Sequence, residues 1–298
     1  YVVIATFADF AESYASNELC ASLKKDVPII TNVSVATTNS SSGKMDLAWS
    51  KPTEFDPVQF PGPYEYKLYR SESSGSNYVQ IASFSNINDT LYNDTNLNTV
   101  AKAWKYKIEF FNNTPGNTVF MGTANPAQSI FLSASPTDKR VNLSWVVSVP
   151  WINDHYDIFR YNNSTLTWDS IATTTALNFS DTGLCNGVEL CYYIRSFGRY
   201  TISGITDPLI NLSQRVCATP VDNIPPCTPT LSGATDCVKN HFSWKINNDS
   251  CYSDIVKYYL YFATSQDDGL TLFDSITDPH VTTIDYTGIN TVAGCFMV

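Results

Sequence analysis

A pattern that returns about every hundred residues constrains this chain most. Each copy begins with a Trp after a short alternating run: Leu47-Ala48-Trp49, Leu143-Ser144-Trp145 and Phe242-Ser243-Trp244. A Tyr-x-aliphatic-aromatic run follows: Tyr66-Lys67-Leu68-Tyr69, Tyr156-Asp157-Ile158-Phe159 and Tyr258-Tyr259-Leu260-Tyr261. A corner comes next, at Asp94-Thr95-Asn96-Leu97, Asp181-Thr182-Gly183-Leu184 and Tyr286-Thr287-Gly288-Ile289. An aromatic strand closes each copy: Tyr106-Lys107-Ile108, Tyr192-Tyr193-Ile194 and Phe296-Met297-Val298. A repeat of this length is a whole domain rather than a solenoid turn. The chain therefore reads as an array of similar β-sandwiches.

Composition supports that reading. The 18 Tyr and 16 Phe suit a pleated, half-buried surface. Only 15% of residues are charged, against about 25% in typical domains. Net charge is −10 and the pI about 4.6, and no basic cluster exceeds Lys24-Lys25. A nucleic-acid partner needs a basic footprint, so none is expected. No apolar run reaches the 18 or so residues of a membrane span. The alternation at Tyr1–Phe7 and the stop at Val298 are expected of a piece of a longer polypeptide.

Domain bounds follow from the repeat. Residues 1–27 read as the C-terminal strands of a leading domain. Residues 28–126 and 127–221 read as complete sandwiches. Residues 222–298 read as a third sandwich lacking its last strand. Strand A of the first complete unit is expected over Ile30–Thr37, B over Lys44–Trp49, C over Tyr64–Arg70, F over Ala103–Phe110 and G over Thr118–Thr123. The second unit repeats this, with G over Ile210–Cys217. Pro-bearing linkers such as Pro220–Cys227 are semi-rigid, which predicts sandwiches joined end to end. No window has helical periodicity, so the fold class is all-β.

The strand-B Trp, the Y-x-L-Y run, the D-T-G-L corner and the strand-F Y-x-I resemble fibronectin type III domains. The resemblance covers essentially the whole chain. It implies an immunoglobulin-like sandwich with a tyrosine corner, in which the Tyr106 and Tyr192 phenols reach back to corner backbone. Phe296 departs from that pattern. Segments Asp207–Gln214, Cys217–Cys227 and Asp254–Tyr258 further resemble domains of large Bacteroidetes proteins associated with gliding motility and exported by the type IX secretion system. That resemblance implies export and display at the bacterial cell surface. Implied partners are the secretion machinery, other domains of the same chain, and surface glycans or proteins.

Eight cysteines include no C-x-x-C pair, which argues against zinc and for structural disulfides in an oxidising compartment. The start of strand F lies beside the end of G, so Cys191–Cys217 is an expected bridge, with Cys185 a competitor at the same corner. In the third unit the expected pairs are Cys227–Cys251 and Cys237–Cys295. Cys20 has no assigned partner.

Catalytic chemistry finds little support. His155, His241 and His280 lack spaced metal-ligating partners, and no G-x-S-x-G, Walker A, HExxH or G-x-G-x-x-G occurs. The expectation is a non-enzyme without cofactor. Calcium is a weaker candidate at Asn247–Ser250 with Asp254, or at Asp267-Asp268-Gly269, which offer hard oxygen ligands without EF-hand spacing. Three Asp-Ser/Thr-aliphatic triplets resemble a Bacteroidetes O-glycosylation motif, with Thr90, Ser170 and Ser275 as acceptors. N-x-S/T sequons stand at Asn32, Asn93, Asn142, Asn178 and Asn211, which a eukaryotic secretory route would glycosylate. The expected function is a non-catalytic stalk or adhesion segment of a secreted bacterial surface protein. The alternatives are a spacer in a secreted polysaccharide-degrading enzyme and the ectodomain of a eukaryotic adhesion receptor.

Overall fold

Alternating apolar and polar residues put one face of each strand into a core. In β2 (Gly43–Ser50), Met45, Leu47 and Trp49 are buried while Lys44 and Asp46 are exposed. The computed structural model describes residues 2–17, 25–223, 227–235, 239–246, 255–287 and 295–298. It is all-β. Tyr1–Asp222 and Asn223–Val298 form two compact units.

The first sandwich has β1 (Ile29–Thr37), β2, β3 (Tyr64–Glu72), β4 (Val79–Phe84), β5 (Leu91–Leu97), β6 (Trp104–Thr114), β7 (Asn117–Thr123) and β8 (Ala127–Gln128). Sheet β1-β2-β5 faces sheet β4-β3-β6-β7, with β8 also on β6. The second has β9 (Phe131–Thr137), β10 (Arg140–Val146), β11 (Ile152–Asn162), β12 (Thr167–Thr174), β13 (Asn178–Thr182), β14 (Leu190–Arg199), β15 (Leu209–Leu212) and β16 (Val216–Ala218). Its sheets are β9-β10-β13 and β12-β11-β14-β15, with β16 on β14. Both have the order A-B-E against C′-C-F-G, that of a fibronectin-type-III-like sandwich.

The third unit repeats it with β17 (Thr230–Thr235), β18 (Asn240–Lys245), β19 (Tyr258–Ala263), β20 (Thr271–Ile276), β21 (Thr283–Tyr286) and β22 (Cys295–Met297). Its sheets are β17-β18-β21 and β20-β19-β22 among the described residues.

One aromatic pair recurs at the centre of all three cores. The strand-B Trp meets the strand-C Tyr edge to face: Trp49–Tyr66 at 5.8 Å, Trp145–Tyr156 at 5.4 Å and Trp244–Tyr258 at 5.3 Å between centroids. Such pairs add about 0.5–1.5 kcal/mol beyond their buried area. The indole Nε1 of each Trp is buried with no protein hydrogen-bond partner.

Three expectations change. The first G strand matches β7, but the second, expected over Ile210–Cys217, is broken into β15 and β16, because Ser213 and Gln214 turn their side chains to other backbones. Ser213 Oγ accepts from Ile194 N at 2.9 Å, and Gln214 binds β9. Over Tyr1–Phe7 the described residues form no strand but one isolated bridge, Thr6 to Glu12, around a turn at Phe10 with φ of 66°. Their apolar side chains, Val3 and Phe7 among them, are exposed, so alternation there has no core to face. Lastly, the first two sandwiches are not joined end to end. They lie edge to edge within one compact unit, and Trp151 and Leu209 of the second are buried in the first core.

Candidate functional site

A seam between β1 and β15 is crossed by a series of side-chain hydrogen bonds. Both are edge strands, whose unpaired backbone groups need cover. Asn211 is buried and its Oδ1 accepts from Val33 N at 2.7 Å. Asn32 Nδ2 donates to Ile210 O at 2.8 Å, and Leu212 N donates to Ser34 Oγ at 2.8 Å. Arg215 N reaches Thr38 Oγ1 at 2.8 Å, and Tyr200 Oη reaches Ile30 O at 2.9 Å. Gln214 completes the arrangement from the other side. Its Oε1 accepts from Leu132 N at 3.0 Å and its Nε2 donates to Leu132 O at 2.7 Å, tying the strand to the edge of β9. Amide side chains carry a donor and an acceptor, so they mimic a missing strand neighbour.

A cleft of about 790 Å³ opens beside the seam. Its floor is the outer face of β1, β2 and β5. Cross-strand register sets Ser34 opposite Asp46 and Asp46 opposite Asn93. Asn93 Nδ2 donates to Asp46 Oδ1 in a short hydrogen bond. The wall is Thr206 and Pro208–Ile210 of the second sandwich.

The tyrosine corners hold a different partner from the one expected. Tyr106 Oη donates to Asp94 Oδ2 at 2.9 Å and Tyr192 Oη to Asp181 Oδ2 at 3.0 Å, so each phenol meets the corner carboxylate rather than corner backbone. The same carboxylates accept from Arg70 Nη1 at 2.8 Å and Arg160 Nη1 at 2.7 Å. Arg70 is registered opposite Tyr106, and Arg160 opposite Tyr192. Burial first, and the Asp charge second, push both phenols well above the ordinary tyrosine range. The third unit has Phe262 opposite Phe296, with Tyr286 at the Asp position. These three rings cluster at 5.1–6.2 Å, an apolar replacement for the charged trio.

The outer face of the second sandwich's larger sheet carries a ladder of rings and guanidinium groups. His155 stacks on Phe197 at 4.6 Å and Phe159 on Tyr193 at 4.7 Å. Arg195 lies over Phe159 and Phe197, and Arg215 over Trp168. Arg195 also pairs with Asp157 at 2.8 Å. Burial pushes the Asp157 carboxyl up, but hydrogen bonds from Arg195 and Thr173 and the Arg195 charge outweigh it and hold it below the usual range. Each of these two guanidinium groups already faces a ring or a carboxylate.

The sequence-predicted sites are dispersed. Cys191 and Cys217 are bonded, as directly opposed residues of β14 and β16. Cys185 is a free, exposed thiol. Cys295 is also free, which corrects the Cys237–Cys295 pairing; its neighbour Phe296 turns into the ring cluster of strand F. Cys227 is disulfide-bonded. Cys20, Cys237 and Cys251 lie outside the described residues, so the Cys227–Cys251 pairing is not described. Asn247–Ser250 and Asp254, the first calcium candidate, lie outside them too. At the second, Asp268 accepts from Thr264 Oγ1 within an exposed turn. Ser170 and Ser275 are exposed on the equivalent edge strands β12 and β20, while Thr90 is half-buried just before β5. His241 pairs with Asp285, which also takes Lys239.

No family model matches the chain, and no curated protein matches it. Among solved structures it is similar to the crystal structure of the chicken CNTN1 FN1-FN3 domains, with 10% sequence identity over 89% of this chain and 91% of that one, at a TM-score of 0.23. The fibronectin-type-III-like fold rests on strand order and register, not on that likeness. Among the described residues, no helix is long and apolar enough to cross a membrane.

Proposed function

We propose that the chain is a non-catalytic extracellular stalk and adhesion segment, whose work is to hold other modules at a set distance and to resist load. The seam carries this reading. Buried and half-buried side-chain hydrogen bonds join β1 to β15 across 178 residues of sequence, so two sandwiches act as one stiff body. An ordinary inter-domain contact would leave relative motion as the default. The Cys191–Cys217 bridge fits an oxidising, extracellular setting.

The finer reading is a secreted bacterial surface protein exported by the type IX system and linked to gliding or adhesion. It draws on the sequence resemblance of segments such as Asp207–Gln214. Two of the sequons favour it over a eukaryotic receptor. Asn211 is only 2% exposed and Asn32 donates its amide to Ile210 O, so a sugar on either nitrogen would open the seam.

Force spectroscopy on the full chain, pulled from its ends, tests the proposal. The first two sandwiches should yield in one event, and Asn211→Ala should split it. Two independent events in the unaltered chain would defeat the stalk reading. For the setting, peptide mass spectrometry of the native protein should find hexose on Ser170 or Ser275; sugar on Asn211 would overturn the bacterial assignment.

A further inference from the structure

We infer that the cleft beside the seam binds a neutral glycan. The inference rests on the adhesion part of the function proposed above and supplies its ligand class. Five observations carry it. The lining holds one carboxylate, Asp46, and no Lys, Arg or His, so it does not suit an anionic ligand. The polar centre is a planar carboxylate beside a planar amide. Asn93 Nδ2 spends one proton on Asp46 Oδ1, which leaves Asp46 Oδ2, Asn93 Oδ1 and the second amide proton for a ligand, and both residues line the cleft. Two acceptors and a donor side by side match a vicinal diol, in which each hydroxyl both donates and accepts.

Apolar side chains flank this centre. Leu91 is 73% exposed and Ile210 is 42% exposed, both on the lining. A pyranose has such a surface, with C–H patches on its faces and hydroxyls on its rim. The volume, about 790 Å³, is that of a small-ligand site. Finally, floor and wall belong to different sandwiches that the seam already fixes. Binding then needs no further ordering of the protein, which favours affinity for a weakly hydrophobic ligand.

The test is an array of neutral oligosaccharides (glucans, mannans, xylans and N-acetylglucosamine oligomers) probed with the full chain, followed by titration calorimetry on the best binder. Asp46→Ala and Asn93→Ala alter exposed side chains and should weaken binding at least tenfold with unchanged melting. Thr118→Ala, on the opposite sheet, should leave it unchanged. Ile210→Asp should also abolish binding. The inference is overturned if no neutral glycan binds, if the Asp46 and Asn93 variants bind as tightly as the unaltered chain, or if only acidic glycans or divalent cations bind. Force spectroscopy does not depend on sugar, so a rigid chain that ignores glycans sinks this inference and spares the stalk.

Discussion

Tyr106 Oη lies 2.9 Å from Asp94 Oδ2, and that single bond links strands F and E of the first sandwich beneath the Arg70 guanidinium. The second sandwich repeats it between Tyr192 and Asp181 at 3.0 Å. Asp94 is 4% exposed, so its charge is held by these two partners rather than by water. Breaking one partner of a buried pair strands the other.

Removing the phenol should therefore cost less than removing the carboxylate. Tyr106→Phe should destabilise the first unit by about 1.5–3 kcal/mol, the range for a hydrogen bond to a charged group. Asp94→Ala should cost about 3–5 kcal/mol, since Arg70 and Tyr106 then lose their acceptor. Urea denaturation followed by Trp fluorescence measures both. Equal costs would mean that the phenol, not the ion pair, dominates.

The same phenols predict loss of stability in alkali. Burial, then the neighbouring Asp charge, raises both folded-state pKa values far above the unfolded value of about 10. A group raised in the fold contributes stability that is full below its unfolded pKa and lost as pH rises above it. The chain should thus hold its stability to about pH 10 and lose it progressively beyond. Tyrosinate absorbance followed with circular dichroism checks this: Tyr106 and Tyr192 should ionise only as the sandwich unfolds. Tyr106→Phe should flatten the slope.

Strand positions were legible because burial alternates along each strand, and the hundred-residue repeat identified the sandwiches. The Arg partners were not legible. Arg70 and Arg160 follow the Y-x-aliphatic-aromatic run directly, but their role depends on a residue on another strand, 24 and 21 positions away. The third unit makes that dependence visible, since Phe262, Tyr286 and Phe296 all change together. The seam was invisible for the same reason. Asn211 and Asn32 read as sequons, whereas their amides serve backbone 178 residues distant. Linker composition argued for an end-to-end array because it says nothing about edge strands that meet later.

Asn211→Ala should cost about 1–3 kcal/mol, because Val33 N is left buried without an acceptor. The loss should be local. Hydrogen exchange should speed at the Val33 and Leu212 amides while the Cys191–Cys217 region stays protected. Gln214→Ala should instead expose Leu132, on β9, and leave Val33 protected. Faster exchange across both cores in either variant would show that the sandwiches do not fold without the seam.

Reduction tests the covalent closure of strands F and G. The Cys191–Cys217 bridge spans 26 residues, and a loop of that size should contribute about 3 kcal/mol. Reductant should lower the melting temperature of the second sandwich. Before reduction, a thiol reagent should label Cys185 rapidly and Cys295 more slowly, following their exposure, and should leave Cys191, Cys217 and Cys227 unmodified. Cys185→Ser should remove the fast label without changing stability, because that thiol is exposed at the corner. Labelling of Cys217 in the unreduced protein would instead mean that the bridge opens in the folded state.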